Sequence, residues 1–336
     1  MGIQLTALVE GKEIKLSNLI DKKIAIDSFN WIYQFLSIIR QKDGTPLKDS
    51  KDRVTSHLSG LFYRTTKLMA VGVKPIYVFD GKMPEFKRAT AAQRRDVRAE
   101  AAREWKEALA RGDLEEARKY AQRASELTDE MIRDSKHLLK ALGVPAIQAP
   151  SEGEALCSLM VQKGDVYAAA TQDYDSLLFG CDRLVRNLSI TGKRKRGKEI
   201  INVEPELILL KDMLEGLGIS HNQLIILGIL VGTDYNPGGV SGYGPKKALE
   251  LVKRKKTLKA VLAEVIWDFD VAAEEIYDFF RKPLEVDYDI EFNDVDEDAV
   301  KRLLCDEHDF SEERIDSALQ KLREEKKSQK SLSKWL

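Results

Sequence analysis

Seven carboxylates in widely separated stretches carry the chemistry this sequence could do: Asp27 in IAID, Asp80 in YVFDG, Glu152 and Glu154 in APSEGEA, Asp173 and Asp175 in TQDYD, and Asp234. Asp27 and Asp80 close short apolar runs at 24–26 and 76–79, and Asp173 follows another at 166–171. Such runs read as buried strands of a parallel sheet, whose ligand sites lie beyond the carboxyl ends of the strands. Acids placed there converge on one crevice. Two carboxylates about 4 Å apart repel by roughly 4 kcal/mol at an effective dielectric near 20, so such a cluster needs protons or cations to neutralise it.

Composition narrows the choice of cation. The four histidines (His57, His137, His221, His308) show no metal-pair spacing, and the three cysteines (Cys157, Cys181, Cys305) form no CxxC, which argues against structural zinc. Oxygen-only ligation points to a hard cation, Mg²⁺ or Mn²⁺. Asp173 and Asp175 stand two apart, so on an extended segment both project the same way and share an ion. Glu154 has an alternative use, because Ser151-x-x-Glu154 is also a capping box. Asp234 follows an apolar helical run at Gly232-Thr233, where a helix cap is the structural alternative.

A second signal is Gly238-Gly239-Val240-Ser241-Gly242-Tyr243-Gly244-Pro245-Lys246-Lys247. Gly242 and Gly244 permit positive φ and close backbone approach, and Pro245 suits the first turn of a helix. Backbone N–H groups at that helix start, beside Lys246 and Lys247, suit a phosphate. The segment therefore reads as a hairpin between helices that contacts a nucleic-acid backbone without reading bases.

The elements that must position these residues alternate. Strands at 23–27, 74–79, 144–148, 166–172 and 183–188 are interleaved with helices at 29–40, 55–71 and from 152, and the pattern is mainly helical from 204 onward. Strand–helix alternation implies an α/β sheet covered on both faces. The insert at 82–136 reads as several short helices: Gly112 ends one, Asp113 with Glu116 caps the next, and Thr128 caps another that closes at Gly143. Its apolar residues are sparse (Trp105, Leu109, Leu114, Tyr120, Leu127), which predicts weak docking, either as a surface hairpin or as a gate over the acid crevice. Lys87 and Arg94 lie seven apart, on one helical face; they are solvated surface charge or cations for a phosphate.

The chain of 336 residues has a net charge of −1, which hides segregation. Basic islands occupy 82–98, Lys193-Arg194-Lys195-Arg196 with Lys198, and 246–259, whereas 284–300 holds eight acids and no base. Basic islands can bind phosphate on a neutral molecule. The KRKR run reads as an exposed hairpin loop. The longest apolar stretch, 224–231, is too short to span a bilayer, and the scarcity of cysteine suggests a reducing, intracellular setting. Trp335-Leu336 at the end of a polar tail implies a partner.

Assembled, these segments resemble the XPG-like structure-specific nuclease family, in particular its archaeal flap endonucleases. The likeness runs from Met1 to the last residue and rests on IAIDSFNWIYQFL, GTPLKDSKDRVTSHLSGLFYR, VKPIYVFDGKMPEFK, APSEGEA, TQDYDSLLFG, LVGTDYNPGGVSGYGPKKAL and CDEHDFSEERI. It implies a PIN-like fold: a central, mostly parallel sheet flanked by helices, with a helical arch insert and a helix–two-turn–helix DNA-binding motif. The organisation expected from it is a nuclease core over 1–98 and 116–258, an arch at 82–136, a C-terminal helical region at 259–327 and a clamp-binding tail at 328–336. It implies that Asp27, Asp80, Glu152, Glu154, Asp173, Asp175 and Asp234 hold two Mg²⁺ ions, replaceable by Mn²⁺, and that Lys87 and Arg94 steer the scissile phosphate.

Tyr33 matches an aromatic that stacks on a terminal base, Gly2 an amino terminus close to the site, and Thr55 part of a pocket for a one-nucleotide 3′ flap. The hairpin at 239–247 (Gly242, Gly244, Lys246, Lys247) matches the grip on downstream duplex, usually with K⁺. Gln329, Leu332, Trp335 and Leu336 resemble a PCNA-interacting box, with Leu336 where a second aromatic is usual. Tyr243 departs from the small aliphatic residue usual in the hairpin. The implied activity is 5′ flap endonuclease and 5′→3′ exonuclease on branched, nicked or gapped DNA, in replication and repair. The expected setting is a cytoplasmic, nucleoid-associated monomer without a membrane. Two rivals are a PIN-type ribonuclease, which would lack the GYGPKK hairpin, and a non-catalytic clamp-binding adaptor.

Overall fold

The computed structural model describes residues 3, 5–84, 87–190, 192–196 and 199–332. The strands along these residues are β1 (Lys12–Glu13), β2 (Lys23–Asp27), β3 (Lys74–Phe79), β4 (Ala146–Gln148), β5 (Ala168–Ala170), β6 (Arg183–Arg186), β7 (Gly192–Arg196), β8 (Glu199–Val203) and β9 (Glu206–Leu209). Seven of them form one sheet in the order β1-β9-β6-β5-β2-β3-β4. Strands β6, β5, β2, β3 and β4 run parallel, and β9 and β1 add antiparallel pairs at the β6 edge. The expected α/β fold is therefore present, with a mixed sheet. The KRKR run lies in strand β7, paired with β8 in a separate antiparallel hairpin, rather than in a loop.

Both faces of the parallel strands are buried, which is why they read as continuous apolar runs. In β2, Ile24 and Ile26 enter one core cluster and Ala25 another; in β3, Tyr77 and Phe79 face the first and Ile76 and Val78 the second. The first core holds helices Ser28–Ile38 and Ser56–Val71 and, from the C-terminal helix Glu312–Leu332, Ile315, Leu319 and Leu322 at helical spacing. The second layer takes helix Gly153–Gln162 through Leu156, Cys157 and Met160. A third cluster surrounds helix His221–Val231, whose residues 224–230 are all buried. No single helix among the described residues is long and apolar enough to cross a membrane.

Two expectations change. The chain beyond 204 is not mainly helical at once: β9 comes first, and residues 283–296 run without helix. This segment accounts for four acids of the acid-only stretch. Val286, Tyr288 and Ile290 pack inward, while the alternating Glu285, Asp287, Asp289 and Glu291 stay exposed. The insert is likewise not all short helices, because its first helix, Arg88–Ala110, has 23 residues. It turns at Gly112 (φ +74°) into Leu114–Arg123, with the Asp113 carboxylate accepting from Glu116 N as expected. The pair closes on alanines rather than on the large apolar residues: Ala101, Ala108, Ala117 and Ala121 are buried, and Leu114 is exposed. Arg40 donates to Ser125 Oγ (2.8 Å) and so ties the insert to helix Ser28–Ile38.

One glycine is required by that packing. A Cβ on Gly60 would lie 2.2 Å from Phe35 Cγ, and Phe35 is itself packed edge-on against Trp31. Gly60→Ala is expected to destabilise the fold by about 1–3 kcal/mol. Thermal and denaturant unfolding check it, and an unchanged midpoint would show that the two helices can separate freely.

Candidate active site

The parallel strands step outward from β2 through β3 to β4, and the chain then returns to the other side of β2 to form β5 and β6. This reversal opens a crevice beyond the carboxyl ends of β2 and β5. Asp27 ends β2 and caps helix Ser28–Ile38, with its Oδ1 accepting from Asn30 N at 3.1 Å. Asp80 follows β3, and its Oδ1 accepts from Gly153 N at 2.8 Å. Glu152 occupies the N-cap of helix Gly153–Gln162 without a side-chain cap bond. The capping box is thus absent, and Glu154 Oε1 instead accepts from Thr171 Oγ1 at 2.9 Å.

Asp173 lies just past β5 and Asp175 opens the short helix Asp175–Leu178, its Oδ1 accepting from Ile3 N at 2.8 Å. The two are therefore not alternate residues of one strand, although their charges still act on each other. Asp234 is not a helix cap. Helix His221–Val231 ends at Gly232 (φ +109°), and the fully buried Asn236 fixes the loop beyond it. Its Oδ1 accepts from Thr233 N (3.1 Å) and Oγ1 (2.8 Å), and its Nδ2 donates to Ile229 O (2.6 Å).

The electrostatics follow from burial and crowding. Burial, then the charges of Asp27 and Glu152, push Asp80 up to about 8. Burial, then Asp234, push Asp175 up to about 7 against the Ile3 N–H bond. Burial outweighs the Asn30 N–H bond and lifts Asp27 to about 6, with Asp173 and Glu152 adding to it. Glu154 is raised well above the carboxylate range by burial and by Asp27, Asp173 and Asp175. Asp27, Asp80, Glu154 and Asp175 thus each feel the charge of other acids in the crevice.

Two cations enter from the insert. Lys87 Nζ stands 2.6 Å from Glu152 Oε2 and 3.6 Å from Asp234 Oδ2, and Arg94 pairs with Asp234 Oδ1. Burial opposes the charge on Lys87, but Glu152 and Asp234 more than compensate and raise it. The donor set is all carboxylate oxygen, which suits a hard divalent ion. Among the described residues no three His, Cys, Asp or Glu side chains close on one point as they stand, and the Lys87 ammonium is between Glu152 and Asp234.

Of the other expected site residues, Tyr33 lies beneath the Arg98 guanidinium (5.0 Å to the ring centre), so the insert touches it too. Thr55 is buried at the start of helix Ser56–Val71 and uses no side-chain cap bond. In the hairpin Gly238, Gly239 and Gly242 have positive φ (+84°, +64° and +81°), whereas Gly244 is an extended N-cap (φ −72°), with Pro245 at the first turn of helix Pro245–Lys255. Lys246 and Lys247 are exposed there, Lys247 above the Tyr243 ring at 5.5 Å. Gly2, Trp335 and Leu336 lie outside the described residues. Gln329 and Leu332 fall in the last turns of helix Glu312–Leu332, with side chains outside the description.

Sequence reasoning misses the neutral residues that hold the acids. Asn30 joins the two sides of the crevice: its Nδ2 donates to Asp173 Oδ2 (3.0 Å) and its Oδ1 accepts from Gln172 N (3.2 Å). Thr171 and Asn236 act likewise. The available signal for Asn30 is its place three residues after a capping Asp.

A crevice of buried acids at a sheet switch point, met by cations from a helical insert, defines a phosphodiester-cleaving nuclease. Comparison with known proteins is consistent with that class. The XPG N-terminal domain model matches residues 1–101 and the XPG I-region model residues 143–234. Flap endonuclease 1 of Pyrococcus abyssi is 56% identical over 340 residues, covering 100% of this chain and 98% of that protein. The structure of flap endonuclease-1 from Methanococcus jannaschii superposes with TM-score 0.76 at 41% identity, covering 96% of this chain and 98% of that one. The catalytic core of Rad2 in complex with DNA substrate gives TM-score 0.69 at 28% identity, covering 93% of this chain and 96% of that one. The chain belongs to the flap endonuclease 1 family; it is a DNA-binding nuclease of 5′ flaps.

The raised carboxyls set a pH dependence. In the folded chain Asp27, Asp175 and Asp80 hold protons up to about 6, 7 and 8, whereas the unfolded chain releases them near 3.8. Between those limits the folded state binds more protons, so stability falls as pH rises. In chelator, the melting temperature is expected to drop steadily from pH 5 to pH 8, and Asp80→Asn to melt above the parent at pH 8. Scanning calorimetry across that range checks both; a flat or rising profile would contradict the crowding.

Proposed function

We propose that this flap nuclease works with a pair of Mg²⁺ ions held by Asp27, Asp80, Glu152, Glu154, Asp173, Asp175 and Asp234, with Mn²⁺ able to substitute. The observation that carries the reading is the meeting of Lys87 and Arg94 with acids at the sheet switch point. When bound, divalent ions supply charge neutralisation at the scissile phosphate and activation of water for in-line displacement. The chain's own part is positional. Asn30, Thr171, Gly153 N and Ile3 N fix the carboxylates from behind. Lys87 and Arg94 offer charge to the phosphate, stabilising it where negative charge develops. Tyr33 stacks on a terminal base, and Thr55 contributes to a pocket for a short 3′ flap. Cleavage leaves a 5′ phosphate and a 3′ hydroxyl, both within a flap and exonucleolytically from a 5′ end.

The hairpin with Gly242, Gly244, Lys246 and Lys247 grips duplex phosphate beyond the junction, with K⁺ bound at its turns. The tail with Gln329, Leu332, Trp335 and Leu336 docks on a PCNA clamp. The enzyme acts as a monomer in the cytoplasm, on the nucleoid.

A panel of nicked, single-flap and double-flap duplexes with and without Mg²⁺ tests the reading. Asp175→Ala is expected to lose at least about 100-fold in cleavage while retaining flap binding, as loss of a direct ion contact exceeds the usual effect of its outer partners. Full turnover by that variant would remove the ion mechanism.

Phosphate contact at the hairpin has a separate signature. Affinity should fall steeply with salt, and removing Lys246 and Lys247 together should reduce the log–log slope by about 2, one per phosphate contact. An unchanged slope would place the duplex elsewhere.

A further inference from the structure

Lys87 is the N-cap residue of the long insert helix Arg88–Ala110, and Arg94 lies two turns further on. Both reach down into the acid crevice. The Lys87 side chain is 13% exposed, and its ammonium lies 2.6 Å from Glu152 and 3.6 Å from Asp234; Arg94 pairs with the same Asp234. Its ammonium also faces the buried Tyr235 ring at 5.8 Å, whose other neighbours are Phe279 and Phe280. A cation seated this way, between acids and an aromatic wall, is an internal counter-ion for the crevice. It also draws the start of the insert onto the core, which the alanine-lined pair of insert helices does not do by itself.

We infer that Lys87, assisted by Arg94, is the resident counter-cation of the acid crevice, and that divalent ions displace its ammonium and thereby hand it, with the base of the insert helix, to the DNA phosphate. This rests on the divalent-ion reading proposed above. The physical logic is competition for the same oxygens. Glu152 cannot give its carboxylate fully to an ion while an ammonium holds it at 2.6 Å. By linkage, whatever takes Glu152 and Asp234 away from Lys87 frees Lys87, and a phosphate that captures Lys87 strengthens ion binding by the same factor. Metal loading and phosphate capture are then coupled through one side chain, so a chain without DNA holds its ions more weakly than a chain with it.

The test uses the full chain without DNA, so no cleavage enters. Mn²⁺ binding is titrated by calorimetry for the parent, Lys87→Met, Lys87→Arg and Arg94→Met, each checked for folding by its thermal melt. Amide hydrogen exchange of residues 88–110 is followed with and without Mn²⁺. The expected result is that Lys87→Met binds Mn²⁺ at least about fivefold more tightly, the lower end of ordinary coupling between sites. Lys87→Arg, which keeps the charge, shows no such gain. In the parent, Mn²⁺ speeds exchange in the first turns of the insert helix; in Lys87→Met exchange is fast with or without it. If Lys87→Met does not fold, Arg94→Met carries the same comparison through Asp234. Equal or weaker Mn²⁺ binding by the charge-removing variants, in a parent that does bind Mn²⁺, overturns the inference and leaves the divalent-ion reading standing. No Mn²⁺ binding by the parent overturns both.

Discussion

Repulsion among carboxylates gathered at the carboxyl ends of β2, β3 and β5 is the constraint on which the site depends. The fold brings the acids together by strand order, and burial makes their mutual field strong, since charges in a poorly solvated crevice are screened little. Neutral donors from behind (Thr171 and the N–H groups of Asn30, Gly153 and Ile3) favour the charged forms. They do not overcome burial, because Asp80 and Asp175 remain raised to about 8 and 7. Their role is orientation. A crevice that is neutral by proton uptake at low pH and by cations at high pH is one whose charge state is set by what binds in it.

That constraint explains why the insert is built as it is. A helix pair packed on alanines closes tightly on itself, yet offers the core little apolar area, so its attachment comes from polar and ionic ties: Arg40 to Ser125, Arg98 over Tyr33, and Lys87 and Arg94 at the acids. Attachments of this kind are more easily exchanged than apolar packing, because a new charged ligand can substitute for either partner. The loop bearing Asp234 is the opposite case. Asn236 is fully buried and satisfied by three hydrogen bonds. One side of the crevice is therefore rigid, while the other is made by an element held through charge.

The parallel strands are legible in the sequence because both of their faces are buried, which writes each as an unbroken apolar run. The acids are legible because they end those runs. Edge strands β1 and β9 are not, since Lys12–Glu13 is exposed and the short apolar run Leu207-Ile208-Leu209 passes without a break into helix Leu210–Leu217. Asp173 and Asp175 reach the same crevice by a turn into a short helix, not by strand alternation, so the spacing argument misses the cause of their proximity. Glu154 is ambiguous from sequence because a capping box and a ligand use the same residue at the same offset; Glu152 at the N-cap removes the ambiguity. Asn30, Thr171 and Asn236 leave almost no trace, because uncharged hydrogen-bonding residues are common on any surface and only tertiary proximity gives them a role. Sparse large apolar residues in the insert do foretell its small apolar contact with the core, but the close packing of its two helices on each other goes unseen, because alanine fills such an interface while contributing little to a hydropathy count.

A net charge of −1 is compatible with DNA binding for a structural reason. Of the eight acids of 284–300, Glu285, Asp287, Asp289 and Glu291 alternate with Val286, Tyr288 and Ile290, which are drawn toward the core, so the intervening positions are exposed, while Asp296, Glu297 and Asp298 open helix Glu297–Lys301. Lys163–Glu285 and Tyr288–Asp165 contacts, at 2.9 and 2.6 Å, fasten the alternating segment down. The basic residues sit elsewhere, on the insert helix and on helix Pro245–Lys255 with its exposed Lys246 and Lys247. With a screening length of about 8 Å at physiological ionic strength, a phosphate near either basic element senses those cations and little of the acidic segment beyond that range. Summed charge therefore carries no information about partners here, whereas its placement on separate elements does.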